Sequence, residues 1–286
     1  MTSIIFPGQG SQKIGMGQDL FDQFPNEIET ANSILGYNIK DLCLEDSDNK
    51  LNQTQFTQPA LFIISALSYL AYQKENNQAP SFLAGHSLGE YNALFAANVI
   101  DFESGIKLVQ KRGQLMSKAT GGAMAAIVGM PATTIKQILT EKNLIDIDIA
   151  NFNEPNQTVI SGKLASITNA QAIFEEAGVR RYIPLAVSGA FHSRYMETAK
   201  KEFTLYLESF EFKPATIPVI ANVTATPYTD HDVKTLLAEQ ITSSVKWVDS
   251  IHYILNQNES EFIEIGPGKV LTGLINKIKK ELITNP

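Results

Sequence analysis

The stretch Gly85-His86-Ser87-Leu88-Gly89-Glu90 places a serine in a glycine-flanked turn, between an apolar run at 82–85 and a helix-like segment at 88–99. This is the G-x-S-x-G pattern of a nucleophile elbow, in which a sharp strand-to-helix turn lifts the serine hydroxyl above the edge of a sheet. The glycines suit such a turn because side chains there would collide with neighbouring backbone. At a helix start the hydroxyl also meets free backbone N–H groups, which favour developing negative charge. We therefore expect Ser87 to be a nucleophile on an α/β sheet.

The composition excludes several classes of function. The 286 residues carry a net charge of −7, whereas nucleic-acid-binding proteins normally present a basic face. The most apolar window, residues 60–72, is shorter than the roughly 20 residues of a membrane span, so no membrane association is expected. The single cysteine, Cys43, cannot form an intramolecular disulfide, and the chain starts without a signal-peptide pattern. These features predict a cytoplasmic protein.

Strand-like and helix-like segments alternate along the chain, which predicts an α/β fold with a mainly parallel sheet. Residues 58–74 are apolar on nearly every helical face, as expected of a buried helix that packs on the sheet. The candidate strands are short apolar runs at residues 3–6, 82–85, 217–221 and 262–265.

Residues 123–188 follow a different pattern, β-α-β-β-α-β, which is the order of a ferredoxin-like unit. The predicted strands lie at 124–128, 145–151, 158–161 and 181–187. The first predicted helix starts at Pro131, and the second spans 164–177. A four-residue turn at 153–156 is expected between the second and third strands. We therefore expect a hydrolase-like α/β body of residues 1–122 and 189–286, with residues 123–188 inserted as a small ferredoxin-like subdomain.

A serine nucleophile needs a base, and the chain has four histidines, His86, His192, His231 and His252. His86 lies in the turn itself and is expected to point away from Ser87. His231 falls in a polar helix start and His252 on a helix pattern, where structural or solvent-exposed roles are expected. His192 stands where the inserted segment rejoins the body, and clefts form at such junctions. We predict His192 as the base. No histidine has metal-ligand spacing with another ligand, so no metal site is expected.

An acyl-transfer site also needs N–H donors for the developing oxyanion. The backbone N–H of Leu88, directly after the serine, is one expected donor. Gln9 is the other, because the glycine-rich loop 6–12 follows the first strand at the sheet edge where α/β folds bind ligands. A phosphate-binding loop or a plain turn remains open for this segment, although neither G-x-x-x-x-G-K-[ST] nor G-x-G-x-x-G is matched.

Five motifs in order resemble those of malonyl-CoA:acyl carrier protein transacylases, and the similarity spans essentially the whole chain. The resemblance implies transfer of a malonyl group from malonyl-CoA to the phosphopantetheine thiol of an acyl carrier protein, through an acyl-serine. It implies no bound cofactor, and a monomer is expected. The motifs are FPGQGSQ at 6–12, TQPA at 57–60, GHSLGEY at 85–91, KRG at 111–113 and GPGKV at 266–270.

The resemblance also implies roles for individual residues. Ser87 and His192 would form a dyad without an acidic third member, and the two N–H donors named above match the family's oxyanion hole. The backbone carbonyl of Gln240 would orient His192. Arg112 would bind the malonyl carboxylate with its planar fork. Gln58, within one of the motifs, is expected to bind substrate beside Arg112.

Phe191, immediately before the histidine, resembles the malonyl-selecting form of polyketide synthase acyltransferases. Its ring would fill the space that an α-methyl group needs, a contact worth about 1–3 kcal/mol of discrimination. Residues 188–196 look closer to free-standing polyketide acyltransferases than to many fatty-acid enzymes. The malonyl group is expected to supply a polyketide or fatty-acid synthase.

Carrier proteins are usually acidic, and this chain is acidic too, so docking calls for a local basic patch near the cleft. Lys111, Arg194, Lys200 and Lys201 are the candidates, and a plain solvated helix face explains them equally well.

Two other functions fit parts of the pattern. An editing acyl hydrolase of the same fold would release acyl groups from carriers, but a plain acyl chain has no carboxylate for Arg112 to bind. A non-catalytic carrier-binding module has no physical need for Ser87, His192 and Arg112 together.

Overall fold

A computed structural model describes residues 2–284, within which the chain forms two sheets. Residues 1, 285 and 286 of the expected body lie outside the described residues. The strands are β1 (Thr2–Phe6), β2 (Leu83–Gly85), β3 (Gly122–Val128), β4 (Ile147–Glu154), β5 (Gln157–Lys163), β6 (Arg181–Pro184), β7 (Val219–Ile220) and β8 (Glu261–Glu264). The helices are α1 (Pro25–Leu35), α2 (Ile39–Leu44), α3 (Thr54–Glu75), α4 (Gly89–Ala96), α5 (Phe102–Ser117), α6 (Ala132–Glu141), α7 (Leu164–Glu176), α8 (Glu197–Leu207), α9 (Val233–Gln240), α10 (Trp247–Asn256) and α11 (Val270–Thr284).

One four-stranded sheet is parallel throughout, in the order β7-β2-β1-β8. Its central strand β1 is apolar and buried on both faces, as expected of a strand covered by helices on either side. All four predicted strands form, which confirms the α/β fold. The predicted strand 217–221 is longer than the observed β7, because the Ala221 N–H bonds to the Thr226 carbonyl in a turn instead of to the sheet.

Helix α3 is the predicted buried helix, although it begins at Thr54, four residues before the predicted start. It packs against α4 and α5, so the helix that follows the serine is held between the sheet and the rest of the core. Helix α4 ends at Ala96, before the predicted limit of 99, because Asn98 takes a left-handed φ of 59° that does not continue a helix.

The other four-stranded sheet is antiparallel, in the order β4-β5-β3-β6, and it has its own apolar core with α6 and α7. The observed order of elements is the predicted β-α-β-β-α-β, which confirms the ferredoxin-like unit. The turn between β4 and β5 contains two residues, Pro155 and Asn156, whereas four were predicted. It is short because the Asn156 N–H bonds the Glu154 carboxylate and its carbonyl accepts the Gly129 N–H.

The two sheets are joined along the edge of β4. The Phe152 N–H donates to the Val245 carbonyl at 3.0 Å, and the Val245 N–H donates to the Ala150 carbonyl at 2.8 Å. Lys277 of α11 pairs with Glu154 at 3.0 Å near the same edge. This short bridge holds the antiparallel sheet beside the carboxyl end of the parallel one and leaves a cleft between them.

No helix within residues 2–284 is both long and apolar enough to cross a membrane.

Candidate active site

The turn between β2 and α4 holds Ser87 in a left-handed backbone conformation, with φ of 52°. A Cβ on Gly85 would lie 1.9 Å from the Gly89 carbonyl carbon, and a Cβ on Gly89 would lie 2.1 Å from the Phe6 carbonyl oxygen. The Asn222 side chain supports the turn, since its Oδ1 accepts the Ser87 N–H at 2.7 Å and its Nδ2 donates to the Gly85 carbonyl at 2.7 Å. The strained serine is therefore fixed by close backbone packing and by one amide from the end of β7.

His192 completes the predicted pair with the serine. The Ser87 hydroxyl lies 2.7 Å from His192 Nε2, and His192 Nδ1 lies 2.8 Å from the Gln240 carbonyl oxygen. Because Nδ1 faces a carbonyl, it carries the ring proton, and the Nε2 lone pair faces the hydroxyl. Burial, and to a lesser extent the positive charge of Arg112, lowers the pKa of His192 to about 3, against the Gln240 hydrogen bond, which raises it. The imidazole is thus neutral near pH 7 and can accept the serine proton.

Gln9 and Leu88 line the same cavity as the serine. Within the described part of the chain, neither of their backbone N–H groups donates a hydrogen bond to another protein atom. The cavity has a volume of about 100 Å³ and lies at the N-terminal end of α4. Free N–H groups beside a nucleophile are what an oxyanion hole requires.

Arg112 reaches this cavity from α5 and is 1% exposed. Its Nη1 donates to Gln58 Oε1 at 2.8 Å, and its Nη2 donates to Gln240 Oε1 at 2.9 Å and to the Ser87 hydroxyl at 3.2 Å. These direct partners are neutral, so the charge of the guanidinium is available to a carboxylate in the cavity. The predicted Gln58 lies in the cavity and also holds Arg112.

Phe191 lines the same cavity and is 5% exposed. A Cβ on Gly189 would lie 2.7 Å from the Phe191 ring, so the backbone before the histidine packs directly on it. The ring is therefore one wall of the cavity that contains Ser87.

Three residues that the sequence analysis did not single out support this site. Glu90 is fully buried and accepts hydrogen bonds from the Asn222 N–H at 3.1 Å, from the Tyr228 hydroxyl and from the Gln240 side-chain amide. Glu90 was visible in the serine motif, as the last residue of GHSLGE. Asn222 and Tyr228 carry no local signal, because their partners lie more than a hundred residues away.

The other histidines have structural surroundings. His86 Nε2 lies 2.9 Å from Asn153 Oδ1 of β4, and the His86 ring packs edge-on against Trp247. His231 is exposed, and His252 is partly buried on α10. Among residues 2–284, no group of three or more His, Cys, Asp or Glu side chains is arranged to hold a metal ion.

An open groove of about 810 Å³ leads to His192 from the junction of the two sheets. Lys136, Arg194 and Lys246 lie along it, and Arg194 is paired with Asp148. The other predicted basic residues lie apart from it: Lys200 and Lys201 are on α8, and Lys111 packs over the Tyr206 ring.

Comparisons with known proteins agree with this geometry. The acyl transferase domain family matches residues 4–282. A polyketide-biosynthesis malonyl-CoA–acyl carrier protein transacylase of Bacillus subtilis is 54% identical over the full length of both chains. The crystal structure of a malonyl-CoA–acyl carrier protein transacylase from Burkholderia pseudomallei is 48% identical over 98% of each chain, with a TM-score of 0.95. A malonyl transacylase solved with the type II polyketide synthase carrier AntF is 36% identical, covers 98% of this chain and 93% of its own, and has a TM-score of 0.93.

Proposed function

The chain belongs to the acyl transferase domain family, as one of its malonyl-CoA:acyl carrier protein transacylases, and we propose that Ser87 and His192 carry out the transfer. The observation that carries this assignment is one hydroxyl, Ser87 Oγ, lying 2.7 Å from His192 Nε2 and 3.2 Å from Arg112 Nη2. A nucleophile, a neutral base and a buried cation meet at one point. That is the set required to load a dicarboxylic acyl group onto a serine.

In the first half-reaction His192 Nε2 takes the serine proton as Ser87 Oγ attacks the thioester carbonyl of malonyl-CoA. The N–H groups of Gln9 and Leu88 hold the tetrahedral oxyanion. When the C–S bond breaks, the imidazolium returns its proton to the leaving thiolate, which departs as coenzyme A. The malonyl group remains as an ester on Ser87.

In the second half-reaction the phosphopantetheine thiol of an acyl carrier protein attacks this ester. His192 takes the thiol proton, and the serine oxygen regains it when the ester bond breaks. The Gln240 carbonyl stabilises the imidazolium in both halves, because it accepts the Nδ1–H at 2.8 Å. A backbone carbonyl thus takes the orienting position that a carboxylate occupies in a triad.

Arg112 is proposed to hold the malonyl carboxylate while the thiols exchange. Support comes from its 1% exposure and from its neutral direct partners, Gln58 and Gln240. A carboxylate bound bidentately in place of these contacts would fix the thioester carbonyl relative to Ser87.

The groove beside His192 is the proposed path for the pantetheine arm of both donor and carrier. Lys136 and Lys246 lie along it and neither is in an ion pair in the described part of the chain, which suits the phosphates that these arms carry. Lys200 and Lys201, on α8, stay as candidates for contact with an acidic carrier. Charge reversal of both lysines that leaves the KM for the carrier unchanged would remove them from the docking surface.

We also propose that the acceptor belongs to a polyketide synthase, in keeping with the polyketide role named for the Bacillus subtilis relative. The chemistry draws on side chains and backbone amides and calls for no resident cofactor. A cytoplasmic location is proposed because the single thiol, Cys43, is buried and unpaired with another cysteine.

Transfer to a carrier tests the assignment against hydrolysis. Purified protein is mixed with malonyl-CoA and a phosphopantetheinylated carrier, and malonyl-carrier and free malonate are both measured over time. Malonyl-carrier formation in excess of malonate supports the transacylase. Malonate as the main product, with or without carrier, points to an acyl hydrolase, and the absence of both would leave a carrier-binding module.

A further inference from the structure

A buried carboxyl group that the mechanism above does not use lies behind the serine. Glu90 is 0% exposed and accepts hydrogen bonds from the Asn222 N–H, the Tyr228 hydroxyl and the Gln240 amide. No lysine, arginine or histidine within the described residues forms an ion pair with it. A carboxylate buried in this way needs a compensating positive charge close by.

The Gln240 side chain connects Glu90 to that charge. Its Nε2 donates to the Glu90 carboxylate and to the Ser87 carbonyl, while its Oε1 accepts from Arg112 Nη2 at 2.9 Å. The Gln240 amide therefore lies between the Glu90 carboxylate and the Arg112 guanidinium, with its NH2 group towards the anion and its oxygen towards the cation. Glu90 thus balances the buried charge of Arg112 through one amide group, that of Gln240.

Binding of a malonyl group disturbs this balance. Its carboxylate would bind the same guanidinium directly, so two buried anions would share one cation. Like charges that share a buried site do not both stay ionised, and one of them takes up a proton. The substrate carboxylate touches the guanidinium, whereas Glu90 is separated from it by an amide, so Glu90 is the weaker competitor.

The surroundings of Glu90 can accept that proton. Its titratable and charged neighbours are Arg112 from α5, Tyr228 from the segment after β7, and Tyr91 on its own helix. The Tyr228 hydroxyl both donates and accepts, so it can turn and accept the O–H of a protonated Glu90. Asn222 and Gln240 can continue to donate to the carboxyl oxygens.

We propose that Glu90 is the resident counter-charge of Arg112 and takes one proton from solvent when a dicarboxylic acyl group occupies the guanidinium. Loading of malonyl is then coupled to proton uptake, and loading of acetyl is not. The inference rests on the proposed function and adds to it a residue that acts on specificity through Gln240 and Arg112.

Burial raises the pKa of Glu90 to about 7, against the hydrogen bonds from Tyr228, Gln240 and Asn222 and the charge of Arg112, which lower it. Before a dicarboxylic group binds, Glu90 is thus ionised above about pH 7, and a second anion raises its pKa further. Above that pH, loading must include a proton, so malonyl-CoA affinity falls by up to about tenfold per pH unit. Below about pH 7 Glu90 is already protonated and the affinity becomes independent of pH.

Isothermal calorimetry on Ser87→Ala, which binds donor without reacting, measures the proton directly. Malonyl-CoA and acetyl-CoA are each titrated at pH 8 in two buffers of different ionisation enthalpy. Both ligands carry the same coenzyme phosphates and differ by the malonyl carboxylate. The difference in the number of protons taken up therefore reports the effect of that carboxylate alone. We expect roughly one extra proton with malonyl-CoA. Equal uptake for the two ligands overturns the proposal.

Two comparisons assign the proton to Glu90. In Glu90→Gln the pH dependence of malonyl-CoA affinity should disappear, whereas Glu202→Gln, an exposed carboxyl on α8, should keep it. Should Glu90→Gln fail to fold, infrared difference spectra of the unmodified protein replace it. Loading with carbon-13 malonyl-CoA should add a protonated-carboxyl C=O band that the label does not shift, and acetyl-CoA should add none; absence of the band refutes the assignment.

These outcomes separate the two proposals. If malonyl-CoA neither binds Ser87→Ala nor acylates the unmodified protein, the proposed function fails. If malonyl-serine forms with no proton uptake and no new carboxyl band, the function stands and the role of Glu90 is wrong.

Discussion

The pKa of His192, the proposed base, is controlled by burial and by a neighbouring arginine. A histidine with the ordinary pKa of about 6.5 would lose half of its neutral form near that pH. Because the pKa of His192 lies at about 3, the neutral base persists well below pH 6.5. We predict that kcat at saturating malonyl-CoA stays level between about pH 5 and pH 8. Stopped-flow acylation rates across this range check it, and a fall centred near pH 6.5 would contradict it.

Arg112 should decide which acyl groups are accepted. Removing a buried, hydrogen-bonded charge partner costs at least about 2 kcal/mol, or about 30-fold. Arg112→Ala should therefore lower kcat/KM for malonyl-CoA by at least about 30-fold while leaving or raising acetyl transfer. Arg112→Lys keeps the positive charge but loses the planar guanidinium, and should lower kcat/KM for malonyl-CoA by about tenfold. Malonyl transfer that survives in Arg112→Ala would show that the carboxylate binds elsewhere.

Phe191 should limit the size of the acyl group. Its ring lines the cavity beside Ser87, so Phe191→Ala opens room for an α-methyl group. We predict that the ratio of methylmalonyl to malonyl loading rises by about tenfold or more, as expected when one methyl group gains a place. Competition between the two thioesters, read from the masses of the acyl-enzymes, measures this ratio. An unchanged ratio would show that another wall sets the limit.

At the scale of residues, the serine was predictable from its motif, the histidine from its place where the inserted segment rejoins the body, and the arginine from the family resemblance. The structure brings all three together, with His192 and Arg112 both in contact with Ser87. The hydrogen-bond environment of Glu90 was not predictable. It depends on Asn222 and Tyr228, which stand 132 and 138 residues away and meet it through folding alone.

At the scale of elements, the strand–turn–helix unit around Ser87 depends on glycines that backbone atoms contact directly. A Cβ on Gly89 would lie 2.1 Å from the Phe6 carbonyl oxygen, which cannot move without shifting β1. Gly89→Ala should lower the free energy of unfolding by at least about 2 kcal/mol. Urea denaturation followed by circular dichroism measures it.

Gly273, on the exposed side of α11, is the matched control. A Cβ there meets no atom within 4 Å, and its helical conformation suits alanine. Gly273→Ala should therefore stabilise the protein by about 0.5–1 kcal/mol. Equal losses in the two variants would mean that the close packing at Gly89 is not what holds the turn.

The sequence predicted which segments form strands and which form helices, but it predicted the residues at which they begin and end less well. Short apolar runs and the order of elements identified both sheets, and apolar residues on nearly every helical face identified the long buried helix. The ends depend on single hydrogen bonds, such as the Ala221 N–H that turns towards Thr226 and the Asn156 N–H that tightens a hairpin. A pattern averaged over several residues does not register such contacts.

At the scale of the whole molecule, the placement of the serine turn depends on how the two sheets meet. Val245 of the body pairs with β4, and Asn153 next to that pairing bonds His86 of the serine turn. The order of elements predicted an inserted subdomain, and we propose 123–188 as its extent, with β3 beginning at Gly122. The docking was not predictable, because the edge of β4 contacts a loop almost a hundred residues further along the chain.

The central claim is that Ser87 carries a malonyl group between two thiols. Intact-protein mass spectrometry after brief mixing with malonyl-CoA tests it most directly, with acetyl-CoA and methylmalonyl-CoA as comparisons and Ser87→Ala as the control. We expect a malonyl adduct on the unmodified protein and none on the variant. An equal adduct on Ser87→Ala, or release of coenzyme A with no adduct at any time, would contradict it.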